Sequence, residues 1–120
     1  MAEHNDFGRK GEDIAVKYLE KKGFKILERN WALGRNEIDI IARDGKYIVV
    51  AEVKSRHSKF AGEPETAVTR DKQRSLIRAA DAYVTKMKLS DEVRFDIVSV
   101  LVVNGLEQVN HIVDAFYPTL

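Results

Sequence analysis

Apolar side chains recur along this chain with two different periods, and the switches between them mark its elements. In residues 11–22, GEDIAVKYLEKK, the apolar positions Ile14, Ala15, Tyr18 and Leu19 fall three and four apart, which is one face of a helix, and Gly23 is placed to stop it. Residues 24–30, FKILERN, alternate and predict a first strand. Two further strands, near 37–43 and 46–55, flank Asp44-Gly45, read as a two-residue hairpin turn. After the polar loop SRHSKFAGE, Pro64 suits the first turn of a helix. The helical period then runs from about Glu65 to Lys88, with Leu76, Ile77, Ala80, Tyr83, Val84 and Met87 on one side. RFDIVSVLVV (94–103) is rich in β-branched residues, Asn104-Gly105 predicts a turn, and QVNHIVDAF (108–116) predicts the returning strand. The order α-β-β-β-α-β-β has no internal repeat and no linker composition. It predicts one α/β domain over 1–120, a mixed sheet flanked by helices, with residues 1–7 as a flexible lead.

Composition narrows the class without naming a partner. A chain of 120 residues with 44% apolar residues is the size of one domain and can build a core. No apolar run approaches the roughly 18–20 residues of a membrane helix, and the polar start MAEHNDFGRKGED has no apolar signal segment. The absence of cysteine excludes disulfides and thiolate metal sites. Together these predict a soluble cytoplasmic protein. Twenty Lys and Arg against nineteen Asp and Glu leave a formal charge of +1, so a nucleic-acid partner would require local positive charge.

The hairpin carries the candidate chemistry. Its strands hold Glu37 and Asp39 on one side of the turn and Glu52 and Lys54 on the other. Alternate residues share a face, so Glu52 and Lys54 lie with Ile48 and Val50. If Asp44-Gly45 forms the whole turn, Glu37 opposes Glu52 and Asp39 lies diagonal to it, within side-chain reach. Like charges opposed in a ladder repel, so either the strands splay there or a cation neutralises the carboxylates. A hard ion such as Mg²⁺ takes oxygen ligands of this kind, and Lys54 could stabilise charge developing on a phosphate. The alternative is a solvated strand face on which Glu52 and Lys54 pair with each other, a contact of about 0–1 kcal/mol. Against that, YIVVAEVK is apolar on both faces up to Glu52, the pattern of a central strand, where charges are costly unless paired or metal-bound.

Asp39, followed at the end of the next strand by Glu52-Val53-Lys54, resembles the D…(D/E)xK signature of the restriction-endonuclease-like nuclease superfamily. The segments GRKGEDIAVKYLEKKGFKILERNW, NEIDIIARDG, VVAEVKSR and RFDIVSV resemble the YraN-like family, which is related to archaeal-type Holliday-junction resolvases. That resemblance covers roughly residues 8–103 and implies an αβββαβ core, here with an extra C-terminal strand. It implies that Asp39, Glu52, the Val53 carbonyl and Glu12 hold Mg²⁺ or Mn²⁺, and that Lys54 is the catalytic lysine. Ile38 stands where the signature has proline. The resemblance further implies hydrolysis of phosphodiesters in branched or otherwise structured DNA, by a homodimer that cuts two strands symmetrically.

Other residues are candidates for supporting roles. Ser55, Arg56, His57 and Lys59 follow Lys54 and either touch phosphates, with Phe60 able to stack on a base, or form an ordinary polar surface loop. Arg70, Arg74 and Arg78 form a basic stripe opposite the apolar face of the second helix, either a nucleic-acid contact or a solvated face. Glu37 and Gln73 are expected to support the metal ligands from behind. Asp96 is expected to pair with Arg94 or to lie at a strand start, and Trp31 suits packing as well as function. Two alternatives to a nuclease stay open: a nucleic-acid-binding module that keeps the fold without turnover, and a protein-interaction domain whose carboxylates are structural.

Overall fold

The computed structural model describes residues 5–57 and 68–118. Its elements are α1 (Asn5–Lys21), β1 (Lys25–Leu33), β2 (Asn36–Asp44), β3 (Tyr47–Arg56), α2 (Arg70–Lys86), β4 (Glu92–Val103) and β5 (Leu106–Phe116). The order is the one the periodicities predict. The expected stretch 65–67 of the second helix, Lys59, Phe60 and Pro64 lie outside the described residues. No helix among the described residues is long and apolar enough to cross a membrane.

The five strands form one mixed sheet in the order β1-β2-β3-β4-β5. All neighbours run antiparallel except β3 and β4, which are parallel from Tyr47↔Glu92 to Arg56↔Leu101. A parallel pair cannot be closed by a hairpin, and α2 supplies the crossover. The sheet divides the apolar side chains into two cores. Ile40, Ala42, Val49, Ala51, Val98 and Val100 meet Ala15 and Leu19 of α1. Ile38, Ile41, Ile48, Val50 and Ile97 meet Leu76, Ala79, Ala80 and Tyr83 of α2. Covered on both sides, β3 is the central strand that its unbroken apolar run implies. Trp31 packs edge-on against Tyr83, ring centres 5.2 Å apart.

Several boundaries differ from expectation for identifiable reasons. The first helix begins at Asn5, six residues before the apolar period becomes visible at Gly11. Its end agrees: Gly23 donates to the Glu20 carbonyl and Phe24 to that of Leu19. α2 starts at Arg70 because the Thr69 hydroxyl caps it, accepting from the Lys72 amide at 3.1 Å. Met87, expected on the buried side, is the C-cap of that helix and is 48% exposed. Asn104 and Gly105 both take positive φ, the backbone of the tight turn their sequence predicts.

The largest difference is in the β2–β3 hairpin. The turn is Gly45-Lys46 rather than Asp44-Gly45, with Gly45 at φ +58° and Asp44 paired with Tyr47. This shift carries the whole register with it. Ile40 pairs with Ala51, so the residue in line with Glu52 is Asp39, and Glu37 instead pairs with Ala32 of β1. The expected opposition of Glu37 to Glu52 is therefore incorrect. Beyond Ile40↔Ala51 the β2–β3 ladder ends while β3 continues along β4. The two strands part in a fork.

Candidate functional site

Asp39 sits at the mouth of this fork, at a break in the alternation of β2. Ile41 and Ile38 both face the α2 core while Ile40 faces the α1 core, so alternation fails between 38 and 40. Asn30, in line with Asp39 on β1, has φ +53° and marks the matching break there. Asp39 is thereby freed from a fixed face. Its Oδ2 accepts the Val53 amide of β3 at 2.9 Å, a side-chain bond in place of the missing ladder rung.

Glu52 is buried, 4% exposed, and enters from the α2 face. Its Oε2 lies 3.6 Å from Lys54 Nζ and 3.7 Å from Lys72 Nζ, while its Oε1 is buried with no hydrogen-bond partner. Burial first, and then the nearby Glu52 charge, push the Asp39 carboxyl up to about 8, against the lowering effect of the Val53 hydrogen bond. Glu12 adds to the rise and Lys72 opposes it, so Asp39 feels α1 on one face and α2 on the other. Two carboxyl groups this close do not both ionise readily without a neighbouring cation.

Glu12 reaches the rim of the fork from α1. Its Oε1 accepts from Asn30 Nδ2 at 3.0 Å and lies 3.7 Å from Arg29 Nη2, which also binds Asp13 at 2.7 Å. Burial raises its carboxyl above the ordinary value, Arg29 opposes that, and Glu37 adds to it. The close seating of α1 depends on Gly11, where an added Cβ would stand 1.8 Å from the Ser55 hydroxyl and 3.0 Å from the Ser55 Cβ. With Ser55 in this position, glycine lets the helix lie this near β3.

Not every residue that the sequence nominates converges here. The structure brings together Asp39, Glu52, Lys54 and the Val53 backbone, with Glu12 close by. Among the described residues no set of three His, Cys, Asp or Glu side chains is poised to hold a metal ion. Glu37 is exposed on the β1 side. Gln73 donates from Nε2 to the Val68 carbonyl at 3.1 Å and lines a groove with Arg70, Arg74 and Arg78. Arg56 reaches the Ser99 hydroxyl at 3.5 Å, with its Nε buried and unpartnered. His57 lies in the bend after β3.

Sequence reasoning missed Lys72. It stands in the first turn of α2, three residues after the Thr69 cap, and cap and crossover together aim it at Glu52. Only the helix start could have signalled it, and the apolar period hides that start. A second cluster also exceeds expectation. Asp96 does bind Arg94, through Nε and Nη2 at 2.9 Å each, but it also meets His111 Nε2 at 2.7 Å and accepts the Asp114 amide at 3.0 Å. Arg94 continues to Asp44 at 2.9 Å, and Tyr18 and Phe24 pack edge-on against the His111 ring. Burial raises the Asp96 carboxyl, but His111, Arg94 and the Asp114 amide outweigh it and hold it below the usual range. Asp96 is buried, the His111 and Arg94 side chains are nearly so, and the three satisfy one another, while Asp44 closes the cluster from the surface. It ties β4, β5 and the β2–β3 turn together.

Residues 11–100 match the family described as uncharacterised protein family UPF0102. The chain is 45% identical to a UPF0102 protein of Bacteroides thetaiotaomicron over 100% of this chain and 99% of that protein. A UPF0102 protein of Flavobacterium psychrophilum is 44% identical, with 98% of each chain covered. Another, from Geobacter metallireducens, is 47% identical with 97% of each covered. With likeness of this degree along essentially its whole length, the chain belongs to the UPF0102 family.

Proposed function

We propose that the β2–β3 fork is the centre of a metal-dependent endonuclease of the restriction-endonuclease-like kind, acting on DNA and in particular on branched or otherwise structured DNA. The observation that carries this reading is the acidic pair itself: Asp39 and a buried Glu52 with an unpartnered Oε1, flanked by two lysines. A buried carboxylate oxygen without a partner is costly, and a hard cation is the chemistry that satisfies it. Asp39 and Glu52 would hold Mg²⁺ or Mn²⁺, with Glu12 at the rim. When bound, the ion supplies Lewis acidity toward a phosphodiester and an attacking water. Lys54 and Lys72 each have an ammonium within 4 Å of Glu52 Oε2, so each can turn toward a phosphate placed beside it. The exposed Arg70, Arg74 and Arg78 supply the local positive charge that the near-neutral total lacks. Symmetric cutting of two strands takes two forks, so the proposal includes a homodimer.

Purified protein with Mg²⁺ or Mn²⁺ should cleave at least one of linear, flap or four-way DNA, and Asp39→Ala should abolish the cleavage. Failure on all three substrates with both metals would refute the nuclease. A second reading has an observation of its own: Lys54 and Lys72 already neutralise Glu52 without a metal. It makes the protein a nucleic-acid-binding module without turnover. DNA binding that is salt-dependent, unchanged by Glu52→Gln and unaccompanied by cleavage would favour it.

A further inference from the structure

The basic stripe of α2 does not face open solvent alone. Arg70, Arg74 and Arg78 stand one turn apart, about 6 Å of rise per step. They form one side of a groove of ≈ 760 Å³. Its other side is the end of β5, Ala115 and Phe116, continued by Tyr117 and Pro118, and Ile77 and Gln73 lie between them. This juxtaposition is tertiary: the arginines and Tyr117 are about forty residues apart in the chain.

Three properties of the groove define what fits it. It is cationic: Arg74 pairs with Asp71 at 2.5 Å, but among the described residues no acid pairs with Arg70 or Arg78. It carries an exposed aromatic ring, Tyr117 at 66%, next to Phe116, which is fixed by stacking on Phe95 with ring centres 5.1 Å apart. Finally, part of its lining is apolar, through Ile77, Ala115 and Phe116. A duplex would offer this groove phosphates but keep its base faces stacked inside. A single strand offers both phosphates and bare base faces, the pairing that basic grooves with aromatic platforms recognise.

We propose that this groove holds a single-stranded segment of nucleic acid, with phosphates against Arg70 and Arg78 and one base on the Tyr117 ring. The proposal takes its class of partner from the nucleic-acid reading of the fork. It adds a separate binding site on the flank of α2, and it makes an unpaired strand, such as the arm of a flap, the part of the substrate that is gripped.

Fluorescence anisotropy of labelled oligothymidylate in EDTA, across a range of salt, tests it. Wild type should bind, and Arg70→Ala/Arg78→Ala should flatten the plot of log affinity against log salt by about 1.4, since each phosphate neutralised on a single strand adds about 0.7 to the slope. Arg70→Lys/Arg78→Lys should keep the wild-type slope. Tyr117→Ala should weaken oligothymidylate binding about fivefold or more but leave an abasic oligomer of equal length unaffected. All three side chains are exposed, so each variant should keep the wild-type circular dichroism spectrum, which is checked first. The proposal is overturned by no binding, by an unchanged slope, by equal loss on the two oligomers, or by no loss with Tyr117→Ala. It is also overturned if blunt duplex binds as tightly, or if polyglutamate competes as well as oligothymidylate. Because EDTA removes divalent ions, failure here leaves the metal reading of the fork intact, and failure of metal binding or cleavage leaves the groove intact.

Discussion

Asp39→Asn isolates the cost of the like-charged pair. The asparagine side-chain carbonyl can still accept the Val53 amide, so the change removes the charge and keeps the bond that bridges the fork. In the wild type the Asp39 carboxyl is raised from its ordinary 3.8 to about 8. Between those two values the folded protein keeps a proton that the unfolded chain has released. Stability therefore falls as pH rises through this window, by up to about 1.4 kcal/mol per pH unit, and is level below it and above it. Because Asp39 is partly exposed and Lys72 can move toward it, the whole loss between pH 5 and pH 8 should be on the order of 2–4 kcal/mol. The variant has no such proton at this position, so it should match the wild type at pH 4 and be the more stable at pH 8. Urea unfolding at unit steps from pH 4 to 9 measures the difference. On the proposed metal reading, saturating Mn²⁺ should erase it by stabilising the wild type alone, because a cation held by the fork would displace the proton. Parallel pH profiles for wild type and variant, without metal, would refute the claim that the fork holds a strained acidic pair.

Other perturbations address other parts of the molecule. Lys72→Met removes a cation that lowers Asp39, so the Asp39 midpoint should rise further above about 8, read by carbon NMR of the carboxyl groups. Gly11→Ala should destabilise by about 1–3 kcal/mol despite alanine's better helix propensity, and a compensating Ser55→Gly should recover most of the loss in thermal unfolding. Asp96→Asn leaves Arg94 and His111 without their buried carboxylate and should cost about 3–5 kcal/mol in urea unfolding. Since the wild-type Asp96 carboxyl is held below 3.8, the stability it contributes is present above that value and disappears as pH falls through the folded one. The variant should lack that acid dependence.

The hairpin shows how far the sequence could be read. Its two strands and the glycine in its turn follow from alternation and turn chemistry, which are local. Its register does not: both Asp44-Gly45 and Gly45-Lys46 make acceptable turns, and moving the turn by one residue moves the pairing by two, which keeps every side chain on its face and replaces Glu37 by Asp39 in line with Glu52. Both registers turn Ile40 and Ala51 toward α1 and Ile41 and Val50 toward α2, so the alternation along the strands does not choose between them. The same holds for the buried cluster. Arg94 and Asp96 lie two residues apart and could be paired by inspection, whereas His111 joins them only because β4 and β5 are aligned by the turn at Asn104-Gly105.

By itself the sequence determined the element order, the two helical faces, the central place of β3 and the presence of Asp39, Glu52 and Lys54 near one strand end. These follow from periodicities and propensities that act over a few residues, and each leaves a mark in the local pattern. Only the tertiary structure decided that β2 and β3 part at Asp39, that Glu52 is buried with one oxygen unpartnered, that Lys72 covers it, and that the α2 arginines share a groove with Tyr117. Each of these depends on packing between segments distant in the chain, where burial and close approach select one arrangement from several that the local pattern permits equally.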